Sequence, residues 1–239
     1  MPPVCGRNPS ESPRRLRADA RRNREHVLAA ARDVFVEHGA EAPLDEIARR
    51  AGVGIATLYR RFPDRNALIR AVVIDVLTAV GAEARRALSE ETDGFRALAR
   101  YMHGALDARI AAVFPAVLGR VPLEDPEIVA ARDAATGPFE RIVERARAEG
   151  SLRPDVVVGD IGLLLIRLSR PLPGPFSREL DSGLAHRHLD LVLAGLHARA
   201  EPAPTPLGGP AMTLADLRNL GADAADQSHG PSHGFHTRA

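Results

Sequence analysis

The chain has 239 residues, a formal net charge of +1, 45% hydrophobic and only 4% aromatic residues, no tryptophan and one cysteine. That length holds a small module plus one larger core, so two domains are expected. No run of about 18 apolar residues occurs, the opening Met1-Pro-Pro-Val-Cys-Gly-Arg7 carries no apolar signal segment, and Cys5 has no partner for an internal disulfide; these features argue against a membrane span, secretion and a disulfide scaffold and lead us to expect a cytoplasmic protein.

The near-zero net charge hides an asymmetry. Residues 1–81 hold 14 arginines against 10 acidic residues, a net +4, whereas residues 82–239 hold 18 against 21, a net −3. Lysine is absent, so every cation is an arginine. A positive first third suits a partner made of phosphates.

In chain order, residues 1–19 carry scattered Pro, Ser and Arg without a period and are expected to be disordered. Arg14, Arg15, Arg17, Arg21, Arg22 and Arg24 face only one acid, Asp19, over this leader and the start of the next element. They read as a basic arm along DNA, with Arg17 and Arg21 as its candidate contacts. From about Ala20 to His38, Val27, Ala31, Val34 and Phe35 share one helical face and Gly39 ends the helix. Leu44, Ile47, Ala48 and Ala51 recur at i, i+3, i+4 and i+7, Gly52 stops that second helix, and Val53 plugs the turn. Leu58 and Phe62, four apart, hold a third helix on the same core. Its outer face is Ile55, Ala56, Thr57, Tyr59, Arg60 and Arg61: small residues for close approach, then a hydroxyl, a phenol and guanidinium groups. A helix of that shape and chemistry fits the major groove.

The stretch Asp45-Glu-Ile-Ala-x-x-Ala-Gly-Val-x-x-x-Thr-Leu-Tyr-x-x-Phe62, followed by Asp64-Arg-x-Ala-Leu68, resembles the helix-turn-helix signature of the TetR (tetracycline repressor) family of transcriptional regulators. It departs from that pattern at Pro43 and Gly54, where the family usually places a Ser or Thr that caps the helix and touches phosphate, and at Ala56, where glycine is more usual. Thr57 and Arg60 are the candidate base contacts, with Ile55 and Ala56 as close apolar ones. Tyr59 and Arg61 are candidate phosphate contacts, beside the Gly54 helix start. Arg65 corresponds to a basic phosphate-contacting position of the family.

Phe62-Pro63-Asp64 breaks the chain, and Asp64 caps a fourth helix through Leu68, Val72 and Val76 to about Gly81. After the polar joint Ser89–Gly94, the apolar positions Phe95, Leu98, Met102, Leu106, Ile110 and Val113 predict an amphipathic helix. Pro115 and Pro122 punctuate short pieces. Asp125-Pro126 opens a helix towards Ala135, and Phe139, Ile142, Val143 and Ala146 continue on a helix ended by Gly150. The segment Gly159–Ser169 is apolar on nearly all sides, and a last helix runs from Leu184 to about Ala200. A helix with no polar face needs cover on every side, which a second subunit supplies. Ile161, Leu164, Leu165, Leu168, Leu189, Val192, Leu193 and Leu196 are therefore the candidate dimer interface. Residues 201–239 are expected to be a largely disordered tail, with a docked turn between Met212 and Leu220.

The resemblance also implies a ligand pocket among the middle helices. Its candidates are Met102, Leu106, Ile110, Phe114 and Leu118 as walls, with His103 and Arg109 as polar contacts. No metal is expected, because His186-x-His188 lacks the i, i+3 or i+4 spacing that puts two ligands on one helical face. No cofactor fingerprint or nucleophile elbow occurs, so an enzyme is not expected. The expectation is an all-α regulator with four parts: an arm (1–19), a three-helix helix-turn-helix DNA-binding domain (20–64), a larger C-terminal helical ligand-binding and dimerisation domain (65–200) and a tail (201–239). Its partners are a double-stranded, palindromic operator, a second copy of the chain and a small-molecule effector that releases a repressor. An activator, a non-specific DNA binder and a ligand-binding module without operator affinity are the alternatives.

Overall fold

The computed structural model describes residues 13–109, 113, 120, 124–198, 207 and 213, with the side chains of 13–18 and 20 left out. Among these residues the architecture is eight α-helices: α1 Pro13–His38, α2 Leu44–Arg50, α3 Ile55–Arg61, α4 Arg65–Glu90, α5 Gly94–Asp107, α6 Pro126–Ala148, α7 Val158–Leu168 and α8 Arg178–Leu196. No strand occurs among them, only an isolated bridge between Leu152 and His197. Among the described residues no helix is long and apolar enough to cross a membrane.

Helix α1 begins at Pro13, seven residues before the expected Ala20, so residues 13–19 are helical rather than a disordered leader. Proline is well suited to a first helical position, and the Arg- and Ala-rich residues behind it are good helix formers. Gly39 then takes φ +77° and returns its N–H to the Phe35 carbonyl at 2.9 Å. Between α2 and α3, Gly52 takes φ +67°, and the Val53 N–H reaches the Ala48 carbonyl at 3.0 Å. Neither Pro43 nor Gly54 caps its helix with a side chain. Helix α3 keeps its start through backbone bonds alone, from Thr57 and Leu58 N–H to the Gly54 carbonyl at 2.8 and 3.2 Å.

Helix α4 spans both halves. Its first turns, from Leu68 to Leu77, join Val27, Phe35, Ile47 and Leu58 in one core, and Val80, Ala84 and Ala87 join Leu98, Met102, Ile142 and Leu189 in another. It continues nine residues past the expected stop at Gly81. A Cβ there would lie 3.0 Å from the Ala135 Cα, so this glycine marks a close α4–α6 crossing and not a helix end. Helix α6 is likewise continuous across Pro138, where two segments were expected. Proline there removes the N–H that would bond the Ala134 carbonyl, and Arg85 Nη1 donates to that carbonyl instead, at 3.3 Å.

Helix α5 stops at Asp107, short of the expected Val113, and Arg109 adopts φ +51°. Met102 and Leu106 are core residues. Ile110, Phe114 and Leu118, the other expected pocket walls, lie outside the described residues, as does the Met212–Leu220 turn apart from Thr213.

The last two helices correct the expected interface. Ile161, Leu165, Leu189, Leu193 and Leu196 are buried within the chain itself, where α7 and α8 pack on α5 and on each other. The i, i+4 stripe of α7 and the i, i+4, i+7 stripe of α8 serve the internal core, which leaves Leu164, Leu168 and Val192 only partly covered. Ser177 caps α8 by accepting from the Leu180 N–H at 3.2 Å, so the helix starts six residues before Leu184.

Candidate nucleic-acid interface

Leu58 is the sole buried residue of α3, and this single anchor orients the helix. With Leu58 turned inward, Gly54, Ile55 (40% exposed), Ala56, Tyr59 (49% exposed) and Arg60 lie outward, with Thr57 and Arg61 at the margins. A hydroxyl, a phenol and two guanidinium groups thus share the outer side of a seven-residue helix. Arg60 and Arg61 make no ion pair among the described residues, so their charge is available to an anionic partner. The basic leader adds Arg21, exposed and 3.5 Å from Glu25, and Arg24, whose guanidinium sits 5.4 Å from the Phe62 ring centroid. The side chain of Arg17 lies outside the described residues.

Other arginines of this half are engaged internally. Arg50 Nη2 lies 2.6 Å from Glu37 and 2.8 Å from Glu46, which ties α1 to α2; the Arg50 hydrogen bond draws the Glu37 carboxyl below its ordinary value. Arg65 Nη1 donates to the carbonyls of Ala40 and Ala42, stapling the α1–α2 turn. This structural role was not part of the phosphate-contact expectation for Arg65.

Two long-range clamps connect this half to the rest, and neither was legible in the sequence. Arg178, at the first position of α8, reaches back to Asp33 and Glu37 on α1, both at 2.8 Å. Arg70 on α4 holds Asp125 at the start of α6, through Nε at 2.8 Å and Nη2 at 2.9 Å, and also contacts Glu127 at 2.5 Å. The Arg70 guanidinium, helped by the Ile128 and Glu127 N–H groups, holds the Asp125 carboxyl down to about 2 against the opposing effect of burial. A carboxyl depressed in the folded state stabilises it fully above its unfolded value, near 3.8, and loses that contribution as pH falls through about 2. Asp125→Asn is accordingly expected to lower the melting temperature at neutral pH and to make no difference once acid has protonated the wild-type carboxyl; melting curves of both proteins across that range check it.

His103, expected as a polar contact of the pocket, is bonded to His186 and Asp190 of α8. No group of three or more potential metal ligands is assembled among the described residues.

Comparison with known proteins agrees with this geometry. Residues 27–72 match the model of bacterial regulatory proteins of the tetR family, and residues 93–198 match a transcriptional regulator SbtR-like C-terminal domain. The HTH-type transcriptional repressor LfrR of Mycolicibacterium smegmatis is 32% identical over 142 residues, 58% of this chain and 70% of LfrR. Among solved structures, a TetR transcription regulatory protein from Mycobacterium vanbaalenii is 33% identical, with a TM-score of 0.55 over 77% of this chain and 99% of that one. LfrR in complex with proflavine, 23% identical in the structural alignment, shares the fold with a TM-score of 0.54 over 77% of this chain and 99% of its own. With α3 presented outward by its Leu58 anchor and both halves matched, the chain belongs to the tetR family of bacterial regulatory proteins and is a helix-turn-helix DNA-binding transcriptional regulator.

Proposed function

We propose that the protein is a cytoplasmic repressor that binds a two-fold symmetric operator as a homodimer and leaves it when a small molecule binds the C-terminal helices. The observation that carries this reading is the outer face of α3, where Thr57, Tyr59, Arg60 and Arg61 lie outside the buried core, the two arginines without an ion pair among the described residues. Thr57 and Arg60 read base edges, Ile55 and Ala56 make close apolar contacts, and Tyr59 and Arg61 hold phosphates, with Arg17 and Arg21 following the backbone from α1.

A dimer across α7 and α8 is supported by apolar side chains that the protomer leaves uncovered: Leu191 is 66% exposed and Leu180 51%, beside the partly covered Leu164, Leu168 and Val192. Two such protomers present their α3 helices to successive major grooves, about 34 Å apart. Release by a small molecule is supported by LfrR, a repressor whose structure contains proflavine. Helix α4 is the element suited to carry that signal, since its residues belong to both cores and Arg70 ties it to α6. A tenfold release needs an effector that prefers the released conformer by about 1.4 kcal/mol.

Fluorescence anisotropy with the DNA upstream of the protein's own gene, against a random duplex and across salt concentrations, tests the reading. Tight binding confined to one duplex supports it, and equal weak binding to all duplexes refutes it. In the same assay Arg60→Ala is expected to cost about 1–3 kcal/mol and to relax one operator position. Unchanged affinity and selectivity would remove Arg60 from the base contacts.

A further inference from the structure

We propose that Asp190, His103, His186 and Asp107 form a proton-holding latch between α5 and α8, complete only when a single proton is shared between the two imidazoles. The four side chains make one continuous chain. Asp190 Oδ1 lies 3.1 Å from His103 Nε2, His103 Nδ1 lies 2.7 Å from His186 Nδ1, and His186 Nε2 lies 2.9 Å from Asp107 Oδ1. All four ring nitrogens are thereby engaged. Each helix supplies one histidine and, four residues on, the aspartate that meets the other helix's histidine, so the arrangement is reciprocal across the α5–α8 contact.

The ring geometry shows what lies between the two inner nitrogens. The ring planes are 9° apart and their centroids are 5.0 Å apart. That separation is as large as a 2.7 Å nitrogen–nitrogen contact allows once the two ring half-widths are added. The rings therefore lie edge to edge in nearly one plane, not face to face, and each Nδ1 points straight at the other. This is the alignment of an N–H···N hydrogen bond. A metal ion on the same axis would need two bonds of about 2.0 Å and a gap near 4 Å, which the rings do not leave.

Counting protons then defines the states. Carboxylates only accept, so both outer Nε2 atoms must carry hydrogen, and the inner contact requires hydrogen on one Nδ1 and a lone pair on the other. Three ring protons satisfy all three bonds, which means one imidazole and one imidazolium between two carboxylates. Two neutral rings bring only two hydrogens and leave one bond unmade. Two imidazoliums bring four and set N–H against N–H. The latch is whole in the middle state and broken on either side of it.

Solvent pH has access to it, because both aspartates are 68% exposed while the rings are half-buried. Among the described residues, the same two helices and α4 carry further charged groups, and Arg109 follows Asp107 just past the end of α5. Glu83 of α4, packed against Gly104, is held by Arg86 and Arg100, and Arg100 also engages Glu90 and Glu91. Arg187 and His188 sit on the exposed side of α8. The consequence reaches the DNA-binding half: α8 is clasped to α1 by Arg178 at its first turn and to α5 by this latch two turns on. Gain or loss of a proton loosens the α5–α8 contact beside the buried Leu189 while the N-terminus of α8 stays attached to α1, giving the regulator a proton input independent of any small-molecule effector.

The test is histidine-selective ¹⁵N NMR on the full-length protein as a function of pH. The expected result is a strongly low-field proton resonance with a nitrogen–nitrogen coupling across it between His103 Nδ1 and His186 Nδ1, present at intermediate pH, lost to acid and to base, and absent from H103Q and H186Q. Absence of that coupling at every pH at which the protein is folded would overturn the proposal. So would Zn²⁺ binding that raises the melting temperature and is abolished by H103Q. In thermal melts the double variant H103Q/H186Q is expected to melt no lower than the weaker single variant, since either change breaks the same unit; additive losses would also overturn it.

Discussion

Gly94→Ala is expected to lower stability by about 3 kcal/mol, the upper end of the usual overpacking range, with a fall in melting temperature of roughly 6–12 °C. Gly94 is buried at the first position of α5, directly against α6. A Cβ there would lie 2.4 Å from the Ala146 backbone nitrogen and 2.6 Å from its Cα. These are main-chain atoms in the last turn of α6, so no rotamer change relieves the clash and α5 and the end of α6 must move apart. That movement also stretches the 2.6 Å hydrogen bond from the Gly94 N–H to Glu149, and it disturbs the core shared by Leu98, Met102, Ile142 and Val143. Two other glycines are built-in controls. A Cβ at Gly104 would meet the side chain of Glu83, with its Cγ at 2.5 Å, and one at Gly54 would meet nothing within 4 Å. Gly104→Ala should cost less than Gly94→Ala, because a side chain rather than a backbone must move, and Gly54→Ala should leave the melting temperature almost unchanged. Comparable losses in all three would show that close α5–α6 approach is not what Gly94 provides.

The second large effect is expected at Leu58. Leu58→Ala removes a fully buried side chain and should cost roughly 2–5 kcal/mol. It should do so locally, because Leu58 is all that α3 contributes to the interior. With the anchor gone, α3 has seven residues and a backbone-only cap, too little to persist as a helix without tertiary support. Amide exchange is therefore expected to accelerate through α3 more than through α5 or α6, and operator affinity should fall with it. Tyr59→Ala separates anchoring from contact: Tyr59 is exposed, so stability should hold while affinity drops. Uniform loss of exchange protection across both cores in Leu58→Ala would mean that the two halves unfold as one unit and that α3 has no separate stability.

Much of this organisation was legible in the residues because it depends on near neighbours. The apolar recurrence Leu44, Ile47, Ala48 places α2 on its core, and those residues are buried. Gly39 and Gly52 end their helices with positive φ, and Asp64 caps α4 by accepting from the Ala67 N–H at 2.7 Å. These signals act within one or two turns, where periodicity, capping and backbone freedom decide the outcome. The outward set on α3 follows from them, since turning Leu58 and Phe62 inward leaves the residues between them facing out.

Other features were settled only by packing. Gly81 resembles a helix stop, yet α4 passes through it because α6 crosses there and leaves no room for a side chain. Pro138 is carried inside α6 because an arginine on another helix takes up the freed carbonyl. Nearly every position of α7 is apolar, so composition could not say which stripe faces inward; packing against α5 and α8 selects Ile161 and Leu165 and leaves Leu164 partly uncovered. The clamps Arg70–Asp125 and Arg178–Asp33 and the pair His103–His186 join residues 55, 145 and 83 positions apart. Charges and rings so distant in sequence meet only because packed helices bring their surfaces together, and no local pattern encodes that approach.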